Sequence, residues 1–183
     1  MEQNDHDPQG PTRPQPPLRE DPLAADVPPG PSRVPWPPLF YAAGLILPAL
    51  LQSAIELPLL TLEGWAGDLQ AAVGWAVAAW GAAIAWFSIR SLQGIGTNVS
   101  PTKFARRLAT FGPYAQSRNP IYLGAAILFA GLALATGNIW RVLFLPVFVI
   151  GITRLAILPE EKHLAERFPE EWPDYATYVR RWL

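Results

Sequence analysis

Residues 119–161 read NPIYLGAAILFAGLALATGNIWRVLFLPVFVIGITRLAILPEE, and this stretch decides the architecture. From Asn119 to Trp140 there are 22 residues without a charge, and beyond Arg141 another 12 uncharged residues reach Thr153. A hydrocarbon core about 30 Å thick needs roughly 20 helical residues at about 1.5 Å each. The first half is long enough to cross. The stretch from Ile139 to Leu158 crosses back if Arg141 snorkels to one interface and Arg154 sits near the other. Gly137-Asn138 is the turn between the two. The segment reads as a helical hairpin that leaves a membrane face at Asn119 and returns to it at Glu160.

Working outward, the same signal recurs twice. No charge interrupts the 22 residues from Val34 to Ile55 or the 21 residues from Leu69 to Ile89. Helices of a soluble core rarely stay charge-free for that length. The predicted fold class is therefore all-α: an integral-membrane bundle of about four transmembrane helices. The spans fall at about 36–58, 69–89, 120–137 and 139–158. A cap over 159–183 follows, read as a C-terminal amphipathic helix whose stripe, Leu164, Phe168, Trp172, Tyr175 and Val179, is interrupted at Pro169 and Pro173. Trp36, Trp65, Trp86 and Trp140 near the run ends suit interfacial positions. Gly74-Ala78-Ala82 and Gly131-Ala135 are small residues at the spacing that lets membrane helices approach closely.

The loops orient the bundle. The connection from Glu56 to Asp68 has three acids and no base, whereas Arg90 to Arg118 has five bases and no acid. The positive-inside rule puts the basic loop in the cytoplasm. Both termini then lie there as well, and a bacterial inner membrane is the expected location. Residues 1–33 carry six acids, three bases and many of the chain's 21 prolines. With only Leu18, Leu23 and Val27 to bury, this segment is expected to be a disordered Pro-rich cytoplasmic tail. Its acidic start and lack of an early apolar run do not fit a signal peptide. Its polyproline stretches make it a candidate ligand for a polyproline-recognising partner.

Composition excludes much else. The chain has no cysteine and two histidines, so thiol catalysis, disulfides and a histidine-based metal cage are not expected. His163 lacks a partner at metal-ligand spacing and reads as a surface side chain. A net charge of −1 provides no basic field for nucleic acid. Two clusters remain that carry chemistry. The first is Gly112-Pro113-Tyr114 with Ser117-Arg118-Asn119-Pro120-Ile121-Tyr122-Leu123-Gly124, and the second is Leu158-Pro159-Glu160-Glu161-Lys162. Each has a local explanation: Asn119 as helix cap with Pro120 in the first turn, and carboxylates favoured by a helix dipole. Their separation across one hairpin nevertheless brings an amide, phenols, guanidiniums and two carboxylates to one membrane surface. Such a group suits a zwitterionic, cationic cofactor such as S-adenosyl-L-methionine without requiring it.

On the motifs Gly-x-Tyr at 112–114, Arg-Asn-Pro-x-Tyr-x-Gly at 118–124 and Glu-Glu-x-x-Leu-x-x-x-Phe at 160–168, the chain resembles a known superfamily. This is the isoprenylcysteine carboxyl methyltransferase and phospholipid methyltransferase superfamily of integral-membrane enzymes, with the resemblance running from about Gly96 to Leu183. It implies S-adenosyl-L-methionine as cofactor, with Arg106, Arg107, Leu108, Ala109 and Tyr114 lining the cleft. It further implies that Asn119, Pro120, Ile121, Tyr122 and Glu160 hold the cofactor, and that the C-terminal helix closes over the site. Asn119 stands where many relatives have histidine, and so supplies hydrogen bonds rather than a proton near neutral pH. Ala156 stands where the prenylcysteine enzymes have an arginine. The expected reaction is methyl transfer to an amphipathic or lipid-like acceptor, a carboxylate, thiol or amine, with the lipid bilayer as its medium. For an amine acceptor, Glu161 is the candidate base and Arg118 its electrostatic partner. The competing readings are a non-enzymatic membrane scaffold or adaptor, and a small transport or sensing component.

Overall fold

A computed structural model describes residues 34–96 and 107–183; the proline-rich tail, Lys103 and Arg106 lie outside the described residues. The order is α1 (Trp36–Ala54), α2 (Gly64–Gly94), a 3₁₀ turn (Gly112–Ala115), α3 (Pro120–Thr136), α4 (Ile139–Ile152), a π-helical turn (Thr153–Ile157), α5 (Leu158–Arg167) and α6 (Glu171–Tyr178). No strand occurs among the described residues.

α1 opens on Pro37 and Pro38, which occupy first-turn positions where a missing N–H costs nothing. It ends at Ala54, short of the expected 58, because Pro58 disfavours helical backbone at the residue before it. α2 runs ten residues longer than its charge-free core: Asp68 and Arg90 sit inside the helix, since charges mark the membrane boundary rather than the helix end. α3 stops at Gly137, whose φ of 60° is the left-handed conformation that glycine adopts without a Cβ clash. The Asn138 side chain then accepts from the Arg141 N–H at 3.3 Å and starts α4, making the hairpin turn at Gly137-Asn138.

Three helices are long and apolar enough to cross a membrane: Trp36–Ala54, Gly64–Gly94 and the continuous Ile139–Arg167. α3, with 17 residues, is apolar but shorter, because Asn119 is not helical and Gly137 ends the run. The expected set of about four spans is thus three long helices and one short one. Apolar side chains such as Leu45, Ile46, Trp75, Trp80, Phe87, Val147 and Ile150 face outward, as lipid contact requires.

The closest packing joins α2 to α3. A Cβ on Gly131 would lie 2.3 Å from the Ala78 nitrogen, and one on Gly74 would lie 2.3 Å from the Ala135 nitrogen. Gly81, not the expected Ala82, completes the α2 stripe; Ala82 is exposed. α4 packs on α3 and α1 through a phenylalanine cluster, with Phe129 and Phe148 ring centroids 5.0 Å apart, edge to face. At the opposite end from the site, Gln70 clips the α1–α2 connection to α3, its amide donating to Leu60 O at 2.7 Å and Leu134 O at 3.0 Å.

The C-terminal part breaks at the first of the two prolines that interrupt its stripe. α5 continues α4 through the π-helical turn, and residues 168–170, which include Pro169, separate it from the short α6. Between α4 and α5 the Leu158 N–H bonds to Thr153 O, five residues back. One residue is thereby inserted into the helical turn immediately before Pro159, which has no N–H to donate. His163 is buried, not on the surface, and its Nε2 has no hydrogen-bond partner.

Candidate functional site

The first cluster is folded by local hydrogen bonds. Gly112, at φ 60°, turns the chain into the 3₁₀ turn and buries Tyr114. The Ser117 hydroxyl accepts from the Asn119 N–H at 3.1 Å, a side-chain turn that sets the entry into α3. Asn119 sits at the N-cap position but makes no side-chain cap bond. Its amide instead donates to Arg181 O at 3.2 Å. Pro120 then occupies the first helical turn, and Tyr122 follows, buried and turned toward α5.

The second cluster is aimed by the π-helical turn. An inserted residue rotates everything after it by about 100° relative to a regular helix. The two carboxylates then diverge. Glu160 meets α3, accepting from the Tyr122 hydroxyl at 3.0 Å. Glu161 accepts from both Nε and Nη2 of Arg181, at 3.0 and 2.7 Å, and lies 3.6 Å from Arg118 Nη1.

Both clusters line one cavity of about 470 Å³. Its polar wall holds Arg107, Tyr114, Arg118, Asn119, Tyr122, Glu160 and Glu161, and Leu108, Ala109, Pro120 and Ile121 lie beside them. Every residue singled out in the sequence as catalytic or cofactor-binding is therefore brought together here except Arg106, which lies outside the described residues. The sequence did not point to Pro37, Pro38 and Tyr41 of α1 or Ile89 and Leu92 of α2, which complete the walls with Leu164 of the Glu-Glu-x-x-Leu motif. Apolar wall residues carry no local signal. Tyr41 carries a faint one, as a phenol one turn inside an otherwise apolar span.

α6 covers the cavity. The Tyr175 hydroxyl donates to Tyr114 O at 2.8 Å, and Trp172 lies under the Arg118 guanidinium at 5.8 Å, a cation–π contact. Burial, with a smaller contribution from Glu160, holds the Tyr114 phenol well above its ordinary value. The Tyr175 phenol is pushed up to about 12, chiefly by burial, with Arg118 opposing and Glu161 adding to the rise. Both are neutral hydrogen-bonding groups at physiological pH.

Among the described residues, the Tyr41 hydroxyl and Arg118 Nε are buried polar atoms of cavity residues without a hydrogen-bond partner. Buried polar groups are almost always paired, so both atoms stand out beside the cavity. A carboxylate, phenols, a guanidinium with a free N–H and apolar walls form a donor and acceptor set that fits S-adenosyl-L-methionine, which has an ammonium, a carboxylate and a ribose diol. The volume falls within the range of cofactor sites, about 300–1,000 Å³. No group of three or more metal-ligating side chains occurs among the described residues.

No curated protein and no solved structure matches the chain significantly. A family profile does: that of the phospholipid methyltransferases, over residues 69–171. The match begins in α2, takes in both clusters and the π-helical turn, and ends as α6 starts. It thus covers more than half of the 183 residues and the greater part of the cavity's polar wall, and the chain belongs to the phospholipid methyltransferase family.

Proposed function

We propose that this membrane methyltransferase uses S-adenosyl-L-methionine to methylate an amphipathic or lipid-like acceptor at the cytoplasmic membrane face. The observation that carries the reading is the single cavity in which a carboxylate–phenol pair, Glu160 and Tyr122, shares walls with Arg118 and with apolar residues of two membrane helices. α1 packs on α4 and α2 packs on α3, with no extended face between α1 and α2. Pro37, Pro38 and Tyr41 therefore face Ile89 and Leu92 across a gap between membrane helices. That gap supports entry of an acceptor from the lipid side.

When bound, the cofactor supplies an electrophilic methyl on a sulfonium, and transfer is an in-line displacement at carbon. Positioning supplies most of the catalysis in such a step. Glu160 is placed for an ammonium or a diol, with Tyr122 holding its carboxylate in one orientation. Arg118 Nε is placed for a carboxylate. The closing α6, through Trp172 and Tyr175, keeps water from the reacting end. Both oxygens of Glu161 are engaged by Arg181, so Glu161 is poorly suited to take a proton. A carboxylate or thiolate acceptor needs no base; for an amine, Glu160 is the cavity carboxylate not held by a guanidinium.

The test is transfer of radiolabelled methyl from the cofactor to total lipid extract, small thiols and prenylcysteine analogues by detergent-purified protein. Label in an extractable amphiphile supports the reading. Label in none of these classes, from protein shown to be folded, contradicts it and favours a scaffold. Orientation is tested with single cysteines in this cysteine-free chain. An impermeant reagent applied to intact cells should label Glu63→Cys and spare Gln116→Cys; the reverse pattern overturns the cytoplasmic placement.

A further inference from the structure

Beyond α6 the chain turns back across the site, and its last residues touch both clusters. The Arg118 N–H donates to Arg180 O at 2.9 Å. The Ser117 hydroxyl and the Asn119 amide both donate to Arg181 O, each at 3.2 Å. The Arg181 side chain crosses to the other cluster and grips Glu161 with two bonds. Trp182 anchors the strap by packing against the buried apolar core. Arg180, Arg181 and Trp182 lie beyond the family match, which ends at 171.

The consequence concerns Arg118. Glu161 faces two guanidiniums, and a carboxylate prefers the partner that offers a bidentate grip. Arg181 takes that place at 3.0 and 2.7 Å, leaving Arg118 at 3.6 Å with its Nε unpaired beside the cavity. Without Arg181, Glu161 would be left with Arg118 as its remaining guanidinium. A direct pair would then withdraw from the cavity the cation available for an anionic ligand group.

We propose that Arg181 is a positioning residue: by occupying Glu161 it keeps the Arg118 guanidinium available to the carboxylate of the bound cofactor. This rests on the cofactor reading given above. It predicts dependence on a residue of the strap that touches no part of the ligand itself.

The experiment measures calorimetric binding of two ligands to full-length purified protein: S-adenosylhomocysteine, which has the amino-acid carboxylate, and 5′-methylthioadenosine, which lacks it. Arg181→Ala should weaken S-adenosylhomocysteine about tenfold, the scale of one charge-assisted hydrogen bond. It should leave 5′-methylthioadenosine within about twofold, on the same scale. Adding Glu161→Gln to Arg181→Ala removes the charge that captures Arg118, and should restore most of the lost affinity. The proposal is overturned if Arg181→Ala binds S-adenosylhomocysteine like wild type, if both ligands weaken equally, or if the double variant binds more weakly than the single one. Failure of wild type to bind either ligand would instead remove the cofactor reading on which the proposal rests.

Discussion

Gly124→Ala tests whether the close α2–α3 packing sets the geometry of the site. Gly124 lies two residues beyond Tyr122 on α3, and a Cβ there would sit 2.6 Å from Gly81 O and 2.7 Å from the Ala85 nitrogen. Ordinary contact begins near 3.4 Å, so the two backbones must separate by about 0.8 Å, and neither obstructing atom belongs to a side chain that can swing away. Overpacking of this kind costs about 1–3 kcal/mol. For a protein of this size that corresponds to a melting temperature roughly 2–12 °C lower, measured by thermal unfolding in mild detergent. The same displacement moves the first turn of α3, which carries Pro120 and Tyr122. Binding of S-adenosylhomocysteine should fall by about tenfold, since sub-ångström misplacement of contacts already matters at this scale. Gly94→Ala is the control: a Cβ there meets nothing within 4 Å. It should leave stability unchanged or raise it by up to about 1 kcal/mol through helix propensity. Wild-type melting and binding by Gly124→Ala would refute the claim that backbone contact between α2 and α3 positions the site.

Two further outcomes follow from the groups around the cavity. Tyr175 has its phenol raised from 10.0 to about 12 in the folded protein, chiefly by burial. Its contribution to stability is fully present below pH 10 and lost as pH rises through about 12. Melting curves should therefore be flat in this respect from neutral pH to about 9 and fall above 10, and Tyr175→Phe should lessen that fall. The same steep fall in Tyr175→Phe would sever the link. Tyr41→Phe removes a buried hydroxyl that has no partner, so the melting temperature should hold within about 2 °C. Ligand affinity or acceptor KM should nevertheless change several-fold; a change in neither would show that the hydroxyl meets no ligand.

Much of this was legible in the sequence because the bilayer imposes a length on uncharged runs. The runs starting at Val34, Leu69 and Asn119 each contain the core of one helix. The glycine–asparagine turn is local chemistry, and it occurs where expected. Helix ends were less legible, because α2 continues past its charges and α1 is cut short by Pro58. The turn at Thr153–Ile157 was not legible at all: Pro159 reads equally well as a helix start. That turn decides which partner each carboxylate meets. The two glutamates look alike in the sequence, yet Glu160 pairs with a phenol and Glu161 with two guanidiniums. The burial of His163 and the path of the strap depend on long-range contacts, which no local pattern encodes. Asn119 illustrates the same limit, since its cap-like position says nothing of an amide directed to Arg181.

On the proposed function, Glu160 and its neighbours form a binding site for S-adenosyl-L-methionine. The most direct measurement is calorimetric titration of S-adenosylhomocysteine into detergent-purified wild type and Glu160→Gln, with thermal melts of both. The account predicts saturable binding to wild type and at least tenfold weaker binding to Glu160→Gln, the scale of one lost charged contact, with both proteins folded. Folded wild type that binds no ligand, or a Glu160→Gln variant that binds as tightly as wild type, would contradict it.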